Sequence, residues 1–232
     1  MSMKRIVSFL PSATELLYEF GSQDNLYGVT HECKYPPDAA SKPQVINSVI
    51  NSDELTSNEI DTMTCQLLND GKDIFVLNEK NLIKADPDLI ISQETCEVCA
   101  AYTNQVNKAV KILERKPILH SMDPHNLQEI INSVTELGKI LGKEIKAKEI
   151  IDSLEKRIQN VKKLQNNKRP KVLAIEWIEP FFTAGHWVPE MIQIAGLIDK
   201  VLTNIDDDSV IFDVKKSVEE LCDNHQLYPH LT

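Results

Sequence analysis

The chain has 232 residues, 42% of them hydrophobic and 26% charged, which is the composition of an ordinary globular protein with room for one large domain or two lobes. Its formal net charge of -10 argues against nucleic acid and against an anionic membrane surface as partners, since both select basic faces. No apolar run is long enough for a membrane span, and five cysteines, an odd number, suit a reducing compartment better than a disulfide framework.

At the N-terminus Lys4 and Arg5 are basic, but the apolar stretch after them stops at Pro11, too short for a secretory signal. The chain as given is therefore expected to be cytoplasmic. "RIVSFL" reads as a first strand that Pro11 ends. Ser12 and Glu15 have capping-box spacing, so a helix is expected there, with Leu16, Leu17 and Phe20 on its apolar face and Gly21 at its end. "LYGVT" is a second strand, and the prolines of "HECKYPP" force a loop after it.

A strand–helix rhythm follows. "DIFVL", "PDLIIS" and "KPILHS" are strand-like. "NEKNLIKA", "AYTNQVNKAVKILER" and "NLQEIINSVTELGKILG" are helical. The alternation predicts an α/β fold with a mostly parallel sheet. Residues 143–167 hold no Gly or Pro, and Ile150, Ile151, Leu154, Ile158, Val161 and Leu164 recur at helical spacing. At 1.5 Å per residue this is a rod of roughly 37 Å. The expected division is thus an N-terminal lobe at 1–142, a linking helix at 143–167 and a C-terminal lobe at 168–232. The last lobe opens with the strand "RPKVLAIEW" and the helix "VPEMIQIAG", adds the amphipathic "DVKKSVEELC", and looks incomplete.

Parallel sheets of this kind bind ligands beyond the carboxyl ends of their strands. Four segments would fall there: "PSATE", "HEC", "QETCEVC" and "EWIEPFFTAGHWVPE". Cys96 and Cys99 have the spacing of a metal-ligand pair that His31 or Cys33 could complete, but two closely spaced cysteines also serve as a redox pair or as buried small hydrophobes. Ser12, Cys33 or Cys96 could act as a nucleophile with His31 or His186 as base, yet there is no GxSxG elbow, phosphate loop or GxGxxG fingerprint. Ser12 alone reads as a helix cap, and His31 alone as a hydrogen-bonded loop residue. Trp177, Phe181, Phe182 and Trp187 place four of the chain's 13 aromatics within eleven residues. Phe181 suits a core corner. His186 and Trp187, after Gly185 and before a helix start, suit a pocket wall as well as a core.

These blocks, "RIVSFLPSATELLYEFG…LYGVTHECKYPP", "ADPDLIISQETCEVCA" and "RPKVLAIEWIEPFFTAGHWVPEMIQIAG", together resemble the cobalamin-binding branch of the iron-siderophore and cobalamin substrate-binding proteins of ABC importers. The resemblance implies two Rossmann-like lobes joined by one long helix, a ligand held between the lobes, and no enzymatic activity. By motif position it implies ligand contacts from Pro11, Ser12, Ala13 and Thr14, from His31, Glu32 and Cys33, from Cys96, Glu97 and Cys99, and from Trp177, His186 and Trp187. The implied ligand is a corrinoid held without a covalent bond, the implied partner an ABC permease, and the implied place the periplasm or cell surface. Two alternatives stay open. One is a ferric chelate or haem as ligand. The other is an intracellular metal or corrinoid handling protein that uses His31, Cys33, Cys96 and Cys99 as metal ligands. A cysteine-nucleophile enzyme is the third class.

Overall fold

The computed structural model describes residues 5–93, 97–163, 171–177, 182–195 and 198–199, with the backbone course alone for 53, 97–103, 171 and 198–199. Contacts divide the chain into two units, Met1–Lys156 and Arg157–Thr232.

The first unit is built on β1 (Ile6–Ser8), β2 (Leu26–Thr30), β3 (Gln44–Ser48), β4 (Phe75–Leu77), β5 (Leu89–Gln93) and β6 (Ile118–Met122). They form one sheet in the order β4-β3-β2-β1-β5-β6. All neighbours are parallel except β3 and β4. The central strands are continuous apolar runs because both faces of the sheet are covered. Alternate residues point to opposite faces. Ile6, Leu89 and Ile91 therefore join one core with α1 (Pro11–Glu19), α5 (Leu127–Leu141) and the start of α6 (Glu144–Lys163). Val7 and Ile90 join the other with α3 (Glu79–Ala85) and α4 (Glu97–Ile112). The connection after β1 leads toward β2, and the one after β5 leads toward β6 on the opposite side. The sheet thus switches direction between β1 and β5, the place where open α/β sheets bind ligands.

The expected strands and helices of this unit are present, with four differences. Strand β3 and helix α2 (Ser57–Asn69) were not anticipated. Strand β4, the expected "DIFVL", is antiparallel to β3. Ser12 is not a cap. Pro11 takes the first helical position, the cap is Leu10, and no side chain bonds the end of α1. The same Thr/Ser-x-x-Glu spacing does form a capping box at α2, where Thr56 and Glu59 bond each other's backbone N–H. Helix α4 also starts earlier than expected, at Glu97.

Between α5 and α6 the chain turns sharply. Gly142 adopts φ 66°, a conformation that costs a side-chain-bearing residue. Lys143 bonds the carbonyls of Phe20 and Gly21 at 2.7 and 2.9 Å, fastening this turn to the end of α1. The two helices touch at Gly138, where an added Cβ would lie 2.5 Å from that of Ala147. Ile150, Ile151 and Leu154 continue this packing, so the first half of α6 covers the core of the first unit. Helix α6 accounts for Glu144–Lys163 of the expected rod, and residues 164–167 lie outside the described residues. Among the described residues no helix is long and apolar enough to cross a membrane.

In the second unit β7 (Lys171–Val172) pairs in parallel with β10 (Ile198–Asp199). Strands β8 (Ile175–Trp177) and β9 (Phe182–Thr183) are antiparallel. Helix α7 (Val188–Ile194) begins with Pro189 in its first turn, as anticipated. The expected helix "DVKKSVEELC" and Phe181 lie outside the described residues.

Candidate functional site

The carboxyl ends of β1, β2, β3 and β5 share one edge of the first unit's sheet. Four features meet there. The first is the start of α1. Its cap residue Leu10 lends no side-chain bond and its first turn holds no acid. The partial positive charge of the helix end is therefore left for an acceptor to use. Ser8 shapes the approach by donating its hydroxyl to the Leu10 carbonyl at 2.8 Å.

The second is the loop after β2. His31 donates its backbone N–H to the Ile46 carbonyl at 3.1 Å, and its Nε2 lies 3.2 Å from Glu32 Oε1. Nδ1 of the same ring is buried with no partner among the described residues. The third is Phe75, whose ring centroid lies 6.1 Å from that of His31, tilted by 43°. The strand "DIFVL" was foreseen, but a parallel strand would have brought Leu77 to this edge. The reversed direction of β4 brings Phe75 instead, a residue that the sequence reading missed.

The fourth is a link beneath the surface. Thr14 Oγ1 lies 3.0 Å from Cys33 Sγ, joining the first turn of α1 to the loop after β2. Burial pushes the Cys33 thiol up from its ordinary value, against the opposing hydrogen bond from Thr14. A protonated thiol is a poor metal ligand. Ala13, Thr14 and Cys33 are all buried in this unit. Pro11 is half-buried and Ser12 exposed; His31 is half-buried and Glu32 exposed.

Glu97 and Cys99 belong to the first turn of α4, which starts just after β5. Cys96 and the side chains of Glu97 and Cys99 lie outside the described residues. Among the described residues no group of three His, Cys, Asp or Glu side chains is placed to hold a metal ion.

In the second unit Trp177 is half-buried in β8. His186 is exposed at φ 52°, a conformation uncommon for a residue with a side chain and found more often at functional turns. Its ring centroid lies 5.8 Å from that of Trp187, which is half-buried at the start of α7. The turn is closed by Val188 donating to the Gly185 carbonyl at 3.1 Å.

Comparison with known proteins places this geometry in context. Residues 6–203 match the profile of a family described as periplasmic binding protein. A Bacillus subtilis protein, the uncharacterised ABC transporter substrate-binding lipoprotein YvrC, is 24% identical over 160 residues, which cover 68% of this chain and 40% of that relative. This chain thus matches about two fifths of the relative's length. Among solved structures, a possible iron-binding periplasmic solute-binding protein from Staphylococcus epidermidis superposes with a TM-score of 0.61 at 21% identity, covering 86% of this chain and 68% of the other. The vitamin B12 binding protein BtuF of Vibrio cholerae gives 0.59 at 19%, covering 85% and 66%. The heme-binding protein RhuT from Roseiflexus gives 0.58 at 18%, covering 87% and 66%. At these identities the structures share the fold.

Proposed function

The chain belongs to the periplasmic binding protein family, and from that premise we propose that it captures a corrinoid, a cobalamin-like ligand, for an ABC-type importer. It is a binding component and not an enzyme. The observation that carries the choice of ligand is the electrostatics of the sheet edge. The end of α1 presents N–H donors without a side-chain cap and with no acid in its first turn, beside the aromatic pair of His31 and Phe75. Haem and most ferric siderophores are anionic, and a chain of net charge -10 does not favour them. A corrinoid periphery of neutral amides offers acceptors to such donors without bringing charge. Its flat, largely apolar macrocycle suits aromatic walls. A vitamin B12 binding protein stands among the similar structures, beside heme-binding ones, and is consistent with this reading.

From the second unit we propose that Trp187 contributes apolar contact and His186 a polar one. We propose a permease partner and a place on the outer side of the cytoplasmic membrane, supported by the family's description as periplasmic binding protein and by the relative's name as an ABC transporter substrate-binding lipoprotein. The reading with His31, Cys33, Cys96 and Cys99 as metal ligands loses support at Cys33, whose thiol is buried and within hydrogen-bond distance of Thr14.

The experiment is incubation with cobalamin followed by desalting. Visible corrinoid bands eluting with the protein at one equivalent are expected. Retention of haem with cobalamin passing through contradicts the proposal.

A further inference from the structure

A cavity of about 500 Å³ lies between α4 and the edge strand β4, and it shares Phe75 with the edge just described. Its size is that of a small-molecule site. Phe75, Leu77, Val49 and Ile112 give it apolar walls. Gln105 also lines it and is 1% exposed, yet its Nε2 has no hydrogen-bond partner among the described residues. Native structures seldom leave a buried donor unmet. Two lysines of α4 border the same space. Lys108 is engaged by Asp73, which ties the approach to β4 against the helix. Lys111 has no ion-pair partner among the described residues.

We propose that this cavity is a second binding site, for a small monocarboxylate with an apolar body. The carboxylate accepts from Gln105 Nε2 and faces the Lys111 ammonium, while the body lies against Phe75, Leu77 and Ile112. Glu79, in the same wall, disfavours a second negative charge. The three requirements, one acceptor, one negative charge and an apolar remainder, are distinct from those of the sheet edge. The inference does not rest on the corrinoid reading, although both use the ring of Phe75.

The test uses the full chain labelled with nitrogen-15 and titrated with benzoate, with benzamide and benzylammonium as controls. The Gln105 side-chain resonances are assigned by their loss in Gln105→Met. Saturable shifts of those resonances with benzoate are expected, at least tenfold weaker binding for benzamide, and at least fivefold weaker benzoate binding in Lys111→Gln. A circular dichroism spectrum like that of wild type confirms that each variant is folded. Three results overturn the site: Gln105 resonances unmoved at saturating benzoate, benzamide binding as well as benzoate, or shifts confined to the His31 edge.

Discussion

Thr14 Oγ1 and Cys33 Sγ lie 3.0 Å apart inside the first unit, so the motifs "PSAT" and "HEC" meet through the core and not only at the surface. Because burial holds Cys33 protonated, its thiol should resist alkylation in the native protein. At mildly alkaline pH, exposed Cys65 should react with iodoacetamide at once, and Cys33 only after denaturant is added. Peptide mapping by mass spectrometry reads both; rapid native labelling of Cys33 contradicts its placement. The raised value also has a sign for stability. The contribution is complete below the pKa of the unfolded thiol and is lost as pH rises through the folded value. Stability should fall further on the alkaline side for wild type than for Cys33→Ala.

The contact of α5 with α6 is set by Gly138. A Cβ there would lie 2.5 Å from Ala147 Cβ, which is fixed to its own helix and cannot swing away. Gly138→Ala should cost about 1–3 kcal/mol in urea unfolding. Adding Ala147→Gly should recover part of that loss, since it removes the colliding methyl. An unchanged midpoint in Gly138→Ala contradicts the close approach.

His120 on β6 should limit stability in acid. Burial lowers its pKa, partly offset by the carboxylate of Glu136, and Nε2 is buried with no partner among the described residues. A depressed histidine contributes above its unfolded pKa, and that contribution is lost as pH falls through the folded value. Between neutral pH and about pH 5, wild type should therefore lose more stability than His120→Gln. Thermal melts of both across that range check the difference, and parallel curves contradict it.

Trp187 should carry much of the second unit's contribution to binding. A half-buried indole at a turn offers a broad apolar face. Trp187→Ala is expected to weaken corrinoid binding by roughly 2 kcal/mol, about thirtyfold. His186→Ala should matter less unless the ring reaches cobalt, in which case the visible spectrum shifts as well. Circular dichroism first confirms that each variant is folded. Equal affinity in wild type and Trp187→Ala removes this turn from the site.

The central strands were legible because their burial on both faces leaves an apolar run in the sequence, as in Leu89–Gln93. Helix α5 was legible because one face is apolar and Gly142 ends it. Strand β3 was not, since "QVINS" at Gln44–Ser48 mixes polar and apolar residues near the sheet's margin. Helix α2 has no buried residue, although its capping box at Thr56 and Glu59 was there to be read. For the site, the sequence located Pro11, Ser12, His31 and Glu32 at the edge through their position after strands. It did not show that Ala13, Thr14 and Cys33 are buried, because a short motif does not reveal which of its residues turn inward. It missed Phe75 because strand direction depends on the path between strands and not on the strand itself.

Calorimetric titration of the full chain with cobalamin, cobinamide, haem and a ferric siderophore under one buffer tests the central claim most directly. The account predicts saturable one-to-one binding of cobalamin or cobinamide, at least tenfold tighter than haem or the siderophore. Binding of haem or the siderophore with no heat from either corrinoid would contradict it.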